Sequence, residues 1–495
     1  MVASSGTSLA SGTRVSLRYV REQTRNTTPA ALSAAVDSVE AEATSSVSGS
    51  GHSEFKRASG SFITDGFIVG QTVRSAGFTN AANNGDFVVT NVAATILTVR
   101  DASDDIVDEA GDAGNTVRIM LKTLRATGRN INLEKNVLES QEVDPDGMET
   151  DNRHGFNRVV GSPGFQLSRA DYDDFIQFTF GRDWENGFAM TGSPNLASNH
   201  TNKTFTRSAG SFITDGFRVG DIVDVTGFSG GDVGMNSRYR VTAVTATVMT
   251  VLDPSSLMTT VTAASGRQIT LPGKRIDLGT EMQTFLIERL FSDVTQHQLF
   301  NGCAVDQFSL NVEPESIING TFNILGMSAA AMSASPVTSV AALAATSNSP
   351  FAAFDGQIFE GGAATAVATS VSFSLARNRS LNPVVGSKTS PDVFEGTARI
   401  SGTLSAFFEN ATLFNKFVNE TESTLFFRFD DSGDATQFMN IVFPRVKYNG
   451  GSMDPPQEGP VPLEMPFVAL KKTGLAVPGG TTRSSNITIQ VTNAL

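Results

Sequence analysis

Cysteine is almost missing from this chain: of 495 residues, only Cys303 carries a thiol. No intrachain disulfide and no multi-cysteine zinc site can form, so Cys303 is expected to be a small buried apolar residue. Tryptophan is as scarce, with Trp184 alone, and tyrosine occurs four times. The four histidines, His52, His154, His200 and His297, stand apart and show no His-x-x-x-His spacing. They are expected in surface or hydrogen-bonded structural roles, with no metal and no cofactor. Charged residues make up only 18% of the chain. Surface helices usually carry many Glu and Lys, whereas the abundant Gly, Ser, Thr and Val here favour strands and turns. No apolar run approaches the ~20 residues of a membrane-crossing helix. Met1 to Gly6 lacks a basic stretch followed by an apolar one. The expectation is a soluble, mainly β protein of about two to four domains, folded in a cytoplasm.

What charge there is leans acidic, with a net charge of −13 spread along the chain. Such a surface repels phosphate, which argues against tight nucleic-acid binding and suits a surface that DNA slides past.

One passage occurs twice. Arg57-Ala-Ser-Gly-Ser-Phe-Ile-Thr-Asp-Gly-Phe67 returns as Arg207-Ser-Ala-Gly-Ser-Phe-Ile-Thr-Asp-Gly-Phe217, and the copies run on in parallel to Gly77-Phe78 and Gly227-Phe228. The units are not adjacent, so they are not a stacked solenoid. They read as two small barrel-like β modules, residues 52–118 and 200–272, set into a host. In each, a Gly-Ser-Phe strand start leads to an Asp-Gly turn, at Asp65 or Asp215. Phe62, Phe67, Phe78, Phe212, Phe217 and Phe228 are the expected module cores. The acidic run Asp101 to Glu109 reads as a solvated module edge, and Ala30 to Gly51 as a helical or loose connector.

The host has its own repetition. A strand-like stretch from Leu124 to Leu133, a polar stretch from Glu134 to Arg153 that reads as a long hairpin or extended loop, and a strand from Gly155 to Leu167 come first. A helix from Arg169 to Phe178, with Ser168 as its N-cap, follows. Three strands then appear at Gln283–Leu290, Ala304–Val312 and Ile318–Leu325. The last third repeats this order: a strand from Val371, a loop Asn382 to Asp392, a strand Gly396 to Phe407, a helix Glu409 to Val418, and three more strands. An Ala/Ser-rich stretch, residues 336–349, reads as a linker. The first host domain is expected to comprise 1–29, 121–190 and 274–335, the second 350–472, with a C-terminal strand or tail at 473–495.

That arrangement resembles the two-domain tail tube proteins of long-tailed bacteriophages. The matching segments include Leu17-Arg-Tyr-Val-Arg-Glu22, Leu124-Arg-Ala-Thr-Gly128, Phe285 to Asp293 and Gln298-Leu-Phe-Asn-Gly302. The most specific are Val384-Val-Gly-Ser-Lys-Thr-Ser-Pro-Asp392, Phe414 to Ser423 and Pro444-Arg-Val-Lys-Tyr-Asn-Gly450. The two modules lie outside the likeness. The resemblance implies tandem β-sandwich domains with one helix each, whose inner strands join a closed barrel around a lumen. It implies self-association into trimeric rings of pseudo-six-fold symmetry, stacked head to tail in the virion tail tube. It also implies a tape-measure protein inside during assembly, terminator and baseplate proteins at the ends, DNA passing without specific binding, and no membrane. Loop residues Glu139, Glu142, Asp144, Asp146, Glu149, Ser387, Lys388 and Asp392 would reach the neighbouring ring. Acidic residues expected at the lumen are Glu281, Asp306 and Glu464.

Other chemistry is weakly supported. Asp144 to Asp151 lacks the ligand order of a calcium loop, and Gly230-Gly-Asp-Val-Gly234 lacks the Gly-Lys-Ser/Thr of a phosphate loop. Scattered carboxylates always permit a glycosidase reading, but no aromatic cleft accompanies them. The sequence nominates no catalyst. The rival reading is a β-rich surface adhesin or fibre with two carbohydrate-binding modules, which would form no filament.

Overall fold

The computed structural model describes residues 10–43 and 52–492, apart from 102, 104, 143, 144, 147, 149, 150, 254, 362, 365–367 and 432. Two runs of elements build the host. In the first, β1 (Ile131–Glu139) and β2 (Asn152–Gly161) form a hairpin, helix α1 (Asp173–Phe180) follows, and β3 (Gln296–Val312) and β4 (Asn319–Gly326) form a second hairpin. In the second, β5 (Ala368–Ala376), β6 (Arg399–Phe407), α2 (Thr412–Val418), β7 (Asp434–Tyr448) and β8 (Pro462–Ala469) take the same order. A further strand precedes each long third strand, Phe285–Phe291 before β3 and Ser423–Asp431 before β7.

Antiparallel pairings join the eight numbered strands into one continuous wall in the order β1-β2-β4-β3-β5-β6-β8-β7. The seam between the runs is the β3–β5 pairing, from Gln307↔Ala376 to Val312↔Val371. Strands β3 and β7 are long because each serves two layers. In β3 the first half pairs with the strand before it and the second half with β4, whereas β7 pairs with the strand before it as far as Val446 and meets β8 only from Val446 to Tyr448. In β3 the change of layer coincides with a bulge between Val305 and Gln307, the kind of irregularity that bends a strand.

Alternation along the strands sets the faces. Phe308, Leu310, Phe322, Phe373, Leu404 and Phe467 point from the wall into one buried core. Tyr19, Phe285, Ile287, Phe427 and Ile441 meet them from the second layer. Helix α1 adds Phe175, Ile176, Phe178 and Phe180, all buried. Asp173 and Asp174 in its first turn complement the helix dipole, and Gly181, at φ 62°, ends it in the left-handed conformation. The helix starts later than the sequence suggests, and Ser168 is not its cap. Ala170 holds a positive φ, so residues 169–172 form a turn in which the Ser168 hydroxyl bonds Asp171.

Each module is a closed barrel. The first runs Val39–Ala43, His52–Arg57, Ile96–Arg100, Gly85–Val92, Thr72–Ala76, Thr116–Ile119 in space. Reciprocal backbone bonds between Val36 and Val117 return the last strand to the first. The second repeats that circuit with Leu196–Asn199, Thr204–Arg207, Val248–Leu252, Arg238–Val244, Ile222–Thr226 and Gln268–Thr270. Its closure comes from Met190 N–H to the Ile269 carbonyl and Leu271 N–H to the Phe188 carbonyl. The six repeated phenylalanines are buried in the two barrel cores.

Three readings of the modules need correction. Residues 39–43, taken as connector, are a barrel strand. Gly-Ser-Phe does not start a strand: Phe212–Asp215 is a helical turn whose Ser211 hydroxyl accepts from Thr214 N–H, and Ser61 caps Thr64 in the same way. Asp101 is not at a solvated edge. It is buried and accepts from Ser53 Oγ and the N–H groups of Asp105 and Ile106. Its counterpart Asp253 holds the N–H groups of Leu257 and Met258 in the same way. Spacing alone cannot reveal such a loop anchor, because its donors are backbone groups.

Candidate assembly surfaces

The wall ends in two open edges. Strand β1 pairs with β2 and with no other strand among the described residues. At the far end, β7 and the residues after it pair with β8 through Val446↔Ala469, Asn449 N–H to Pro466 O and the Ser452–Glu464 bridge. Past Val446, the side of this stretch away from β8 pairs with no strand among the described residues. The corresponding stretch of β3 is paired: there β5 occupies the edge. The seam inside the chain thus shows what the open edge of β7 can accept.

Hydroxyls and amides predominate in the middle of the wall face turned away from the core. Ser162 Oγ bonds Asn323 at 2.6 Å, Asn323 bonds Gln307 at 2.8 Å, and Gln307 bonds Ser374 at 2.6 Å, a ladder that crosses the seam. Ser309, Ser401 and Thr403 share this face through the strand register. The three acids expected at a lumen do not come together. Glu464 lies on this face, exposed and opposite Ser405. Asp306 sits at the β3 bulge and accepts from the Arg379 N–H at 2.6 Å. Glu281 is exposed on the loop beside Gly181.

The β1–β2 hairpin projects past the wall. Its Glu139, Glu142 and Asp146 are exposed, while Asp144 and Glu149 lie outside the described residues. Val137, Leu138 and Met148 are also exposed there, apolar contacts that the acid-centred reading of this loop missed. Ser387 and Lys388 are exposed on the β5–β6 connection, with Val385 fully open to solvent. That connection also folds back on the first run: the Lys388 carbonyl accepts from Asn157 N–H, and Asp392 pairs with Arg25.

Both barrels cover the second layer on the side away from the core. Leu286 and Val20, alternating with core residues, pack into the first barrel's cluster. Phe426, Val442 and Phe359 face the second barrel. The second barrel thus belongs to the first run by sequence but seats on the second run. Its Arg218 reaches Asp277 at 2.9 Å and its Asp221 reaches Arg275 at 2.9 Å, all buried. Arg240 is buried between the rings of Phe359 and Phe426, and burial lowers its guanidinium to about 9.

Near the first barrel, the Glu22 carboxylate accepts from Gly302 N–H at 3.0 Å and Asn26 N–H at 3.1 Å. Burial outweighs those bonds and raises its pKa to about 7. Cys303 is buried. His297 Nδ1 meets Glu288 at 3.1 Å. No three His, Cys, Asp or Glu side chains converge as a metal site among the described residues. No described helix is long and apolar enough to cross a membrane.

These features define a class: a structural wall subunit, with a β-sandwich open at both sheet edges and two barrels added behind it. A family model described as phage tail tube protein matches residues 12–469, and the chain belongs to that family. Its role is structural, in the tail tube of the virion. None of the curated proteins compared matches the chain.

Proposed function

We propose that copies of this chain join edge to edge into rings, and that stacked rings form the hollow tube through which phage DNA is delivered. The observation that carries this reading is the β3–β5 seam. Within one chain, the second run already completes the edge of the first. The open edge of β7 calls for β1 of a second copy in the same antiparallel manner. An unpaired edge in solution templates aggregation, and ring closure removes it. Three copies would close about 24 strands into a barrel roughly 45–50 Å across between backbones, taking ~4.8 Å per strand and a ~40° tilt. That leaves room for a DNA duplex.

On this reading the hydroxyl and amide face lines the lumen. Hydroxyls and amides offer phosphate no fixed positive partner, and Arg399, on the same face as Ser401 and Thr403, stands only at its end, so DNA passes with little adhesion. Glu464 contributes the acidic part of that face. The hairpin bearing Glu139, Glu142, Asp144, Asp146 and Glu149 reaches the adjacent ring, as does the connection with Ser387, Lys388 and Asp392. The barrels decorate the outside. Partners are further copies of the chain, a tape-measure protein within, and terminator and baseplate proteins at the ends.

Electron microscopy of the concentrated chain tests this. Hollow rings or tubes with external knobs are expected. Gly450→Pro removes an N–H on the open side of its strand, since Asn449 N–H faces β8. It should leave a folded chain that no longer closes rings. Discrete particles without a lumen at any concentration would overturn the reading.

A further inference from the structure

Two surfaces at opposite ends of the wall differ in charge. At one end lie the turn after β3, the segment before Gly356–Glu360, the end of β6 and the loop before β8. They carry Glu313, Glu315, Asp355, Glu409, Asp454 and Glu458, with no lysine or arginine between them. None of these carboxylates has a basic partner among the described salt bridges. Phe354 and Phe407 stand exposed among them, at 82% and 43%. The surface is an acidic, apolar lip.

The opposite end opens as a groove between the start of β6, the end of β8 and the loops at Gly279 and Ser485. Arg182, Arg399 and Lys471 line it, and Lys472 follows directly. No salt bridge engages any of these four among the described residues. The acid within the groove, Glu395, is already taken by Arg377 and Arg379. The nine residues of β6 run from groove to lip, so the two surfaces stand about 30 Å apart along the strand direction.

We infer that the lip of one copy docks in the groove of the copy stacked on it, so that charge sets the polarity of the stack. This rests on the tube reading and deepens it by naming the two surfaces of the ring-to-ring contact. Rings meeting lip to lip would set acid against acid, whereas head-to-tail stacking sets each lip against a groove, and that difference selects head-to-tail growth. A heterologous contact of this kind propagates without closing.

The test uses the full chain, assembled and measured for tube length by electron microscopy. Wild-type tubes should shorten as salt rises, because screening reaches about 10 Å at 0.1 M but only about 3 Å at 1 M. Arg399→Glu with Lys471→Glu should leave rings intact and shorten tubes about ten-fold or more. Adding Glu313→Lys and Glu315→Lys to that variant should restore length. All four side chains are exposed, so folding is not at stake. Reversed variants with wild-type tubes, salt-insensitive tubes, or a four-substitution chain that stays as rings would each overturn the inference. Failure to form any ring would sink the tube reading itself, whereas rings that never stack would sink only this contact.

Discussion

The barrel around Phe62 and Phe67 and the barrel around Phe212 and Phe217 hold the same clasp. In each, the arginine that ends the second strand (Arg57 or Arg207) lies 5.0 Å from the first phenylalanine ring and pairs with the aspartate of the Asp-Gly turn. Even a reversed pair keeps its place: Arg74 opposite Asp86 in the first barrel becomes Asp224 opposite Arg238 in the second. The seats have diverged. Gln71 of the first barrel donates to the Arg21 and Gly66 carbonyls. The second barrel has Asp221 at that point and a buried ionic network to Arg275 and Asp277. Internal contacts set the fold and so recur, while each seat answers to a different patch of host.

The largest difference should appear at the clasp. Asp215 is buried and also accepts from the Thr191 N–H and hydroxyl, so Asp215→Ala strands the fully buried Arg207. The expected loss is about 3–5 kcal/mol. Asp65 and Arg57 are partly solvated, and Asp65→Ala should cost about 1 kcal/mol. Urea unfolding followed by proteolysis of each barrel reads both, and equal losses would refute the burial argument.

A pH difference comes next. The Glu22 carboxyl is raised from 4.5 to about 7 by burial, so the folded chain holds that proton more tightly than the unfolded one. The resulting stabilisation is complete below about 4.5 and lost as pH rises through about 7, amounting to about 3 kcal/mol. Glu22→Gln should flatten that slope in a melting series from about pH 4.5 to 8. The same slope in variant and wild type would rule Glu22 out. At the second seat Asp277, despite burial, is held below its usual range by Arg218 and Arg275.

Much of this was legible in the sequence, for identifiable reasons. The two barrels announced themselves because their clasp and turn use side chains at fixed spacing, Arg57 to Asp65 and Arg207 to Asp215. The order of host strands was readable because Phe308, Leu310 and Val312, or Val371, Phe373 and Leu375, alternate with polar residues. What stayed hidden depends on long-range packing. That the second barrel seats on the far run follows from Arg240 meeting Phe359 and Phe426, residues over a hundred positions away. Which acids share the wall face depends on the β3 bulge, which turns Asp306 away from the alternation. The open edges are equally invisible, since pairing partners are not written in a strand's own pattern.

The glycines after the Asp-Gly turns sharpen the contrast of seats. Gly70 and Gly220 both hold left-handed φ, 89° and 96°, so alanine brings about 1–2 kcal/mol of strain at either. A Cβ at Gly70 meets no atom within 4 Å, whereas one at Gly220 would lie 2.5 Å from the Phe426 ring. Gly220→Ala should therefore cost about 2 kcal/mol more than Gly70→Ala, read as the gap between their urea midpoints. No gap would mean the second seat yields without cost.

The smallest expected effect tests the reversed pair. Arg74 and Asp86 form two parallel bonds, at 2.6 and 2.7 Å, on a part-exposed face. Exchanging them, Arg74→Asp with Asp86→Arg, recreates the order of the second barrel and should shift stability by no more than about 0.5 kcal/mol. The mirror exchange, Asp224→Arg with Arg238→Asp, is not equivalent. Arg238 also donates to the Thr436 carbonyl at 2.8 Å and lies 4.7 Å from the Phe438 ring, so moving it to the neighbouring strand removes both host contacts. The second exchange should cost about 1–2 kcal/mol, the sum of one hydrogen bond and one partly exposed cation–π contact. Equal effects in the two barrels would mean that Arg238 serves only its cross-strand partner, and that the seat owes nothing to the direction of the pair.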